Sequence, residues 1–182
     1  MSKPLFVVHD VFQSSLFSPS QRKVLEMDSF FGWFKFAMRP LENEPVILAA
    51  IAIDIARNKE WVDYVKKRPN WIVECHGWEH RTYTSIGENQ VYSHLSLSCD
   101  VIGREFGRRP TTFYPPKCKT SDNVAKAATR AGLAIDNVIH RPGHWIRDNS
   151  IEKVYFHFWS SGHITDVRNI MENICHPQHA EQ

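Results

Sequence analysis

The stretch WIVECHGWEH, residues 71–80, decides both the fold and the candidate site of this chain. A mainly apolar stretch from Trp71 to Glu74, typical of a buried strand, is followed by two histidines, His76 and His80, with a glycine between them. Imidazole is the commonest metal ligand in proteins, and two imidazoles on a chain reversal at a strand end can point at one ion. The stretch therefore predicts a metal site at the end of a strand.

Length and composition favour one domain over residues 1–182, with residues 176–182 as a frayed tail. Hydrophobic residues make up 42% of the chain and charged residues 23%, which is typical of a soluble globular protein. A net charge of +2 without a basic block argues against nucleic acid as a partner. No secretory signal or membrane-spanning stretch is visible, so we expect a cytoplasmic protein with no membrane partner. The sequence leaves the oligomeric state open.

Strand and helix patterns alternate along the chain, which predicts a parallel sheet with helices outside it, either a barrel or an open sheet. The predicted strands cover residues 5–8, 45–52, 71–74, 111–114, 133–139 and 153–158. The predicted helices cover residues 21–38, 58–67, 86–106, 122–130 and 164–174.

Polar and aromatic residues follow several predicted strands, at the edge where the carboxyl ends of parallel strands meet. They are His9 with Asp10, His76 with His80, Tyr114 with Pro115 and Pro116, and His157. Functional groups of parallel α/β proteins gather at this edge of the sheet. The sequence therefore predicts that these residues form one site.

The set of one carboxylate and two imidazoles, from Asp10, His76 and His80, is typical of a catalytic zinc or a related divalent ion. Three protein ligands leave a coordination position open for water, whose pKa the ion lowers. Hydrolysis of an amide or ester also needs a base for the water and an acid for the leaving group. His9 is the candidate base, with a packed core histidine as the alternative. His157 is the candidate acid, with a histidine packed among aromatic neighbours as the alternative.

These motifs resemble those of the polysaccharide deacetylase superfamily, also called the NodB-homology or carbohydrate esterase 4 group. The segment His76-Gly77-Trp78-Glu79-His80 resembles the family's His-x-x-x-His motif, and Val8-His9-Asp10-Val11 resembles its first, acidic motif. The segment Phe113-Tyr114-Pro115-Pro116 resembles the family's Pro-Pro motif. Val154-Tyr155-Phe156-His157 resembles the last motif, a strand ending in histidine. The motifs occur in the same order as in the family and together span nearly the whole chain.

The resemblance implies a distorted, incomplete (β/α) barrel with a divalent metal, usually zinc, held by the aspartate and the two histidines named above. It implies metal-assisted removal of an acyl group, usually acetyl, from an N-acylated sugar, and a small amide substrate is equally compatible. The substrate-binding positions that it implies are Trp78, Tyr114, Pro115 and Pro116. Trp78 would stack on the substrate, and the two prolines would form a groove wall.

Departures from the family pattern concern the base and the turn after the prolines. The first acid of the first motif is His9 here, and the arginine that orients that acid in the family aligns with Tyr114. Lys117 and Cys118 replace the aromatic residue and glycine that usually follow the prolines. A histidine can act as a base, so a hydrolase with an altered mechanism and a non-catalytic metal- or sugar-binding relative are both open.

The central stretch also matches the His-x-x-Glu-His pattern of inverzincin metalloproteases, in which both histidines lie on a helix and the glutamate is the base. Gly77 directly after a strand is a poor helix start, and Asp10 would have no role in such a site. Glu79 is therefore interpreted as a solvated or supporting carboxylate.

Overall fold

A parallel sheet organises the protein. The computed structural model describes residues 5–11, 30–136, 153–157, 164–165, 167–169 and 171–172, with Asp10 and Phe30 described by their backbone alone. The strands are β1 (Leu5–Val11), β2 (Val46–Ala50), β3 (Trp71–Cys75), β4 (Thr112–Phe113), β5 (Ala134–Ile135) and β6 (Lys153–His157). They lie in the order β5-β4-β3-β2-β1-β6, and every neighbouring pair is parallel. The predicted parallel sheet is confirmed.

Helices connect the strands of the sheet. They are α1 (Phe30–Met38), α2 (Ala52–Arg57), α3 (Lys59–Lys66), α4 (Glu88–Phe106) and α5 (Asp122–Arg130). The last three agree with the predicted helices to within two residues, and α1 covers the described part of the predicted helix 21–38. No helix in the described part of the chain is long and apolar enough to cross a membrane.

Helix α2 was missed, because its residues Ala52–Arg57 continue the apolar run of β2, and the prediction extended that strand to residue 52. The described residues of the predicted helix 164–174, which are 164–165, 167–169 and 171–172, are helical, and the others lie outside the described residues. Residues 137–139 of the predicted strand 133–139 also lie outside them.

Helix α4 shows how the sequence sets the local structure. Its buried side chains recur at helical spacing on one stripe, which includes Val91, Leu95 and Ile102. The helix ends at Gly107, whose φ of 71° is the left-handed conformation that glycine adopts most readily at a helix end. The stripe packs against α2, α5 and β3, so α4 covers the outer face of the sheet.

The sheet buries both of its faces, as parallel sheets do. The outer face contributes Phe6 and Val8 of β1 to the main hydrophobic core beneath the helices. The inner face carries a second, smaller cluster of Val7, Ala49, Tyr114 and Tyr155. Alternation along β1 therefore places the candidate base, His9, on the same inner face as Val7.

The two edges of the sheet approach each other through side chains. The Asp136 carboxylate, directly after β5, accepts hydrogen bonds from the Tyr155 hydroxyl at 3.0 Å and from Lys153 Nζ at 3.1 Å, both on β6. The sheet therefore curls round until its two edge strands, β5 and β6, face one another. This is the distorted, incomplete (β/α) barrel expected from the sequence, and the expectation is confirmed.

Candidate active site

Three of the candidate histidines meet at the carboxyl edge of the sheet. His9 of β1 pairs with His157 of β6 in the parallel ladder, and their ring centroids lie 6.1 Å apart. The His9 ring also lies 5.8 Å from the ring of His76, which follows β3. The structure thus brings the candidate base, the candidate acid and one candidate metal ligand into one cluster.

Strand β1 contains an irregularity where the site begins. Between Val8 and Val11 the ladder towards β2 shifts its register, and β1 has one residue more than β2 in that interval. The shift falls on His9 and Asp10. Bulges of this kind are frequent next to active sites, where they redirect the side chains of the strand.

The orientation of the His76 ring is fixed by the backbone. Its Nδ1 lies 2.6 Å from the carbonyl oxygen of Tyr114, and because a carbonyl only accepts hydrogen bonds, Nδ1 carries the proton. Nε2 therefore keeps its lone pair, which is the usual arrangement of a metal-binding histidine. The ring of His80 lies 5.4 Å away, and its Nε2 is buried. The predicted histidine pair is brought together.

The third predicted ligand cannot be placed in the same way, because the structure describes only the backbone of Asp10, in β1. Among the side chains that are described, no three histidines, cysteines or acids lie close enough together to hold a metal. The imidazole donors of His76 and His80 have the chemistry that a divalent metal needs. The complete ligand set stays a prediction.

Aromatic rings enclose the candidate base. His9 is only 4% exposed, and its ring lies 5.4 Å from the ring of Tyr114 and 5.7 Å from that of Tyr155. Burial, reinforced by the Asp136 carboxylate, raises the pKa of Tyr114, so its hydroxyl stays protonated. His9 therefore lies between the rings of Tyr114 and Tyr155, and the Asp136 carboxylate acts on the hydroxyl groups of both tyrosines.

Two of these supporting residues, Tyr155 and Asp136, were not predicted from the sequence. Tyr155 precedes His157 by two positions on β6, so the two-residue period of a strand could have placed both side chains on the inner face. No sequence pattern pointed to Asp136. It follows β5, and only the curl of the sheet brings β5 close to β6.

The predicted substrate-binding residues differ in their exposure. Trp78 is half-buried, whereas Tyr114, Pro115 and Pro116 are buried. Tyr114 contacts the site from inside the barrel, through its ring against His9 and its carbonyl to His76.

The turn after the prolines has an unusual backbone. Lys117 has a φ of 58° and Cys118 a φ of 51°, both in the left-handed region that residues other than glycine rarely adopt. Each such residue costs about 1–3 kcal/mol and persists only where its surroundings enforce it, and such residues cluster at functional sites. Only the two prolines separate this turn from Tyr114, which contacts the site.

Glu79 has the environment of a surface carboxylate. Its side chain is 46% exposed and pairs with Arg81 at 2.9 Å. The chain from His76 to Thr82 is fully described and contains no helix. The metalloprotease alternative, which needs both histidines on one helix, is therefore wrong.

Comparison with solved structures finds the same fold in carbohydrate esterases of family 4. The family 4 carbohydrate esterase from Streptomyces lividans, solved in complex with acetate, has a TM-score of 0.64 and 17% identity over 80% of this chain and 83% of that chain. A family 4 pseudoenzyme from Bacillus anthracis has a TM-score of 0.66 and 10% identity over 97% of this chain and 62% of that chain. A mutant of that pseudoenzyme with restored enzymatic activity has a TM-score of 0.65 and 12% identity, over 80% and 58%. At such identities the likeness shows the fold alone.

The match to a protein family is more specific than the likeness to solved structures. The sequence profile of the polysaccharide deacetylases matches residues 44–135, about half of the chain, which include His76 and His80. His9, Asp10 and His157 lie outside the matched range. A search of the curated proteins found no match. The fold, the histidine pair at the end of β3 and the profile match agree, and the chain belongs to the polysaccharide deacetylase family.

Proposed function

We propose that the chain is a metal-dependent hydrolase that removes an acyl group, usually acetyl, from an N-acylated sugar or a related small amide. The observation that carries the proposal is the 2.6 Å hydrogen bond between His76 Nδ1 and the Tyr114 carbonyl oxygen. It leaves Nε2 of a fully buried imidazole with its lone pair at the carboxyl edge of the sheet. Membership of the polysaccharide deacetylase family supports the reaction class and a carbohydrate substrate.

A divalent cation, with Zn²⁺ as the first choice, suits the donor groups at this edge. His76 and His80, whose ring centroids are 5.4 Å apart, would hold it together with Asp10. When bound, the cation would polarise the acyl carbonyl and make water a better nucleophile. Three protein ligands suit a catalytic role, because they leave a coordination position open.

His9 is the proposed general base. Its ring is buried and lies 5.8 Å from the ring of His76, which places a second imidazole beside the proposed ligands. A neutral imidazole takes a proton from the attacking water as the new carbon–oxygen bond forms. In this proposal histidine replaces the acid of the family's first motif, and the orienting arginine is replaced by the Tyr114 ring against His9.

His157 is the proposed general acid. It lies opposite His9 in the β1–β6 ladder and is half-buried, so one side of the residue is open to a leaving group. Its imidazolium donates a proton to the amine nitrogen as the carbon–nitrogen bond breaks. The products are a carboxylic acid, acetate in the usual case, and a free amine on the sugar.

We further propose that four residues shape the substrate site. Trp78, which is half-buried, would present its ring to a sugar face, since aromatic rings combine apolar area with a defined orientation. Tyr114, Pro115 and Pro116, which are buried, would form the wall beside the cluster.

A second candidate function is a metal- or sugar-binding protein without catalysis. It is favoured by His9, which stands where the family's first motif has an acid, and by the occurrence of the same fold in a pseudoenzyme from Bacillus anthracis. Such a protein would bind the cation and release no acetate.

Metal analysis combined with an acetate-release assay on N-acetylated sugars and small amides tests both candidates. We expect wild-type protein to hold a divalent ion and to release acetate, and His76→Ala to lose both properties. His157→Ala should keep the metal and lose most of the release. The proposal is contradicted if wild-type protein purifies without metal and cannot be reconstituted with it. Metal-loaded protein that releases no acetate would support the second candidate.

A further inference from the structure

We propose that Tyr83 is a positioning residue that fixes the segment between His76 and His80, and that position 77 must be glycine to admit the tyrosine. The inference rests on the proposed function, because it concerns the residues that would hold the metal. Tyr83 begins a 3₁₀ turn, Tyr83–Ser85, directly after the segment, and its side chain is fully buried.

The hydroxyl of Tyr83 makes two hydrogen bonds to the backbone of this segment. It accepts one from the Trp78 N–H at 2.8 Å and donates one to the Glu79 carbonyl at 3.4 Å. Burial raises the pKa of Tyr83, so the hydroxyl keeps its proton and remains a donor. Because both partners lie between His76 and His80, one side-chain group restrains the relative position of the two imidazoles.

Gly77 and Tyr83 occupy complementary space. The φ of Gly77 is +98°, a conformation that residues with a side chain rarely adopt. A Cβ at this position would lie 2.5 Å from the Tyr83 hydroxyl oxygen and 2.8 Å from its ring carbon Cε2. The backbone conformation and the tyrosine therefore exclude a side chain at position 77 independently.

Helix α2 holds the same segment from another side. The Ala52 N–H donates to the Gly77 carbonyl at 3.0 Å, and the Ile53 N–H donates to the Trp78 carbonyl at 3.1 Å. The backbone of the segment is thus held at the Gly77 and Trp78 carbonyls by α2, and at the Trp78 N–H and the Glu79 carbonyl by Tyr83. Removing the tyrosine hydroxyl would leave the hydrogen bonds from α2 in place and would remove the two hydrogen bonds that Tyr83 makes to the segment.

The ring of Tyr83 is itself held by two neighbouring aromatic residues. It makes edge contacts with Phe113 of β4, at a centroid distance of 5.7 Å, and with His94 of α4, at 5.9 Å. Phe113 precedes Tyr114, whose carbonyl fixes the His76 ring. The supports of the two candidate ligands therefore meet at adjacent residues, Phe113 of β4 and Tyr114 directly after it, and the tyrosine hydroxyl is a rigid support.

The test compares Tyr83→Phe, which keeps the ring and removes the hydroxyl, with Val62→Ala as a matched control. Val62 is buried in α3, so its truncation destabilises the fold without touching the segment. Three quantities are measured: the Zn²⁺ dissociation constant by chelator competition, the visible spectrum of Co²⁺-loaded protein, and hydrogen exchange of the Trp78 amide in metal-free protein.

We expect Tyr83→Phe to weaken Zn²⁺ binding about 10-fold or more, as substitutions of groups that support metal ligands commonly do. We also expect it to change the Co²⁺ bands and to speed exchange at the Trp78 amide. Val62→Ala should lower the stability to denaturant and leave the affinity for Zn²⁺ and the Co²⁺ bands as in wild type. A merely structural role for Tyr83 would make the two variants behave alike.

Unchanged Zn²⁺ affinity and an unchanged Trp78 exchange rate in Tyr83→Phe would overturn the inference while leaving the proposed function in place. Failure of wild-type protein to bind metal would instead overturn the proposed function. In that case faster exchange of the Trp78 amide in Tyr83→Phe would still support the positioning of the segment by Tyr83.

Discussion

The carboxylate of Asp136 accepts a hydrogen bond from the Tyr155 hydroxyl at 3.0 Å, and this contact joins the two edges of the sheet. The ring of Tyr155 lies 5.7 Å from that of His9. One tyrosine therefore both closes the incomplete barrel and forms part of the wall around the candidate base. Substitutions that weaken the contact between the two edges of the sheet should therefore also affect the surroundings of His9.

Tyr155→Phe should lower the free energy of unfolding by about 1–2 kcal/mol, because the Asp136 carboxylate, only 11% exposed, loses a donor. Chemical denaturation measures the loss. Tyr92→Phe is the control, since Tyr92 is half-buried with its ring beneath Arg130, and it should change stability by less than about 0.5 kcal/mol. Equal stabilities of the two variants would show that the hydrogen bond between Tyr155 and Asp136 contributes nothing to stability.

Glu74→Gln should be more destabilising, by about 2–3 kcal/mol. The Glu74 side chain is 4% exposed and pairs with Arg108. Its Oε2 accepts from the N–H groups of Thr111 and Thr112 at 2.7 and 2.8 Å, so it fixes the start of β4 to β3. Glutamine presents a donor amide where only acceptors fit.

Asp100→Asn provides the control for Glu74→Gln in the same denaturation experiment. Asp100 also pairs with an arginine, Arg109, but both side chains are more than half exposed. Exposed pairs contribute about 0–1 kcal/mol, so this variant should remain close to wild type. A loss from Glu74→Gln no larger than that from Asp100→Asn would contradict the anchoring role of Glu74.

Glu79→Gln should leave acetate release within about 2-fold of wild type, because an exposed carboxylate paired with Arg81 lies at a position with no base function in the proposed mechanism. The readout is kcat on the best substrate from the acetate screen. Loss of activity in this variant, with its metal content unchanged, would return the base role to Glu79.

His9→Ala should lower kcat about 100-fold or more, which is the usual contribution of a general base, and leave the metal content unchanged. Metal analysis and steady-state kinetics on the same preparation separate the two effects. His9→Asp, which restores the family's acid, is the companion variant and should retain part of the rate. Full activity of His9→Ala would assign His9 to packing.

Acidification should destabilise the protein partly through His94. Burial lowers the pKa of His94 below its ordinary value of 6.5, so the unfolded chain binds this proton more readily than the folded state. The contribution of neutral His94 to stability is complete above the unfolded pKa and is lost as the pH falls below it. Unfolding free energies of wild type and His94→Gln, measured from pH 7.5 to 5.5, should show a smaller decline in the variant. Identical declines would contradict this origin.

The parallel sheet could be predicted from the sequence because strands that are buried on both faces consist mainly of consecutive apolar residues. Helix α2 could not, since the residues Ala52–Arg57 continue the apolar run of β2, and only the segment that they hold at Gly77 reveals their role. Local sequence patterns thus identify helices and strands that are separated by polar turns. Two elements that follow one another without a polar turn, such as β2 and α2, are predicted as one.

The candidate site, like the fold, could be predicted only in part. His9, His76 and His157 were recognisable because each lies at or next to a strand end, and parallel strands align those ends. Asp136 and Tyr83 were not, because they act through contacts set by the curl of the sheet and by a turn after the metal-ligand motif. Residues that support a site carry no motif of their own.

The extra residue of β1 between Val8 and Val11 has an evolutionary consequence. Before the shift, the ladder towards β2 is held by apolar side chains, and the shifted interval itself carries the candidate site residues His9 and Asp10. Because the shift separates the two halves of the strand on that side, position 9 can change its chemistry without moving the core register. A lineage can therefore replace the acid by histidine, and change or lose its catalytic chemistry, while keeping the barrel intact.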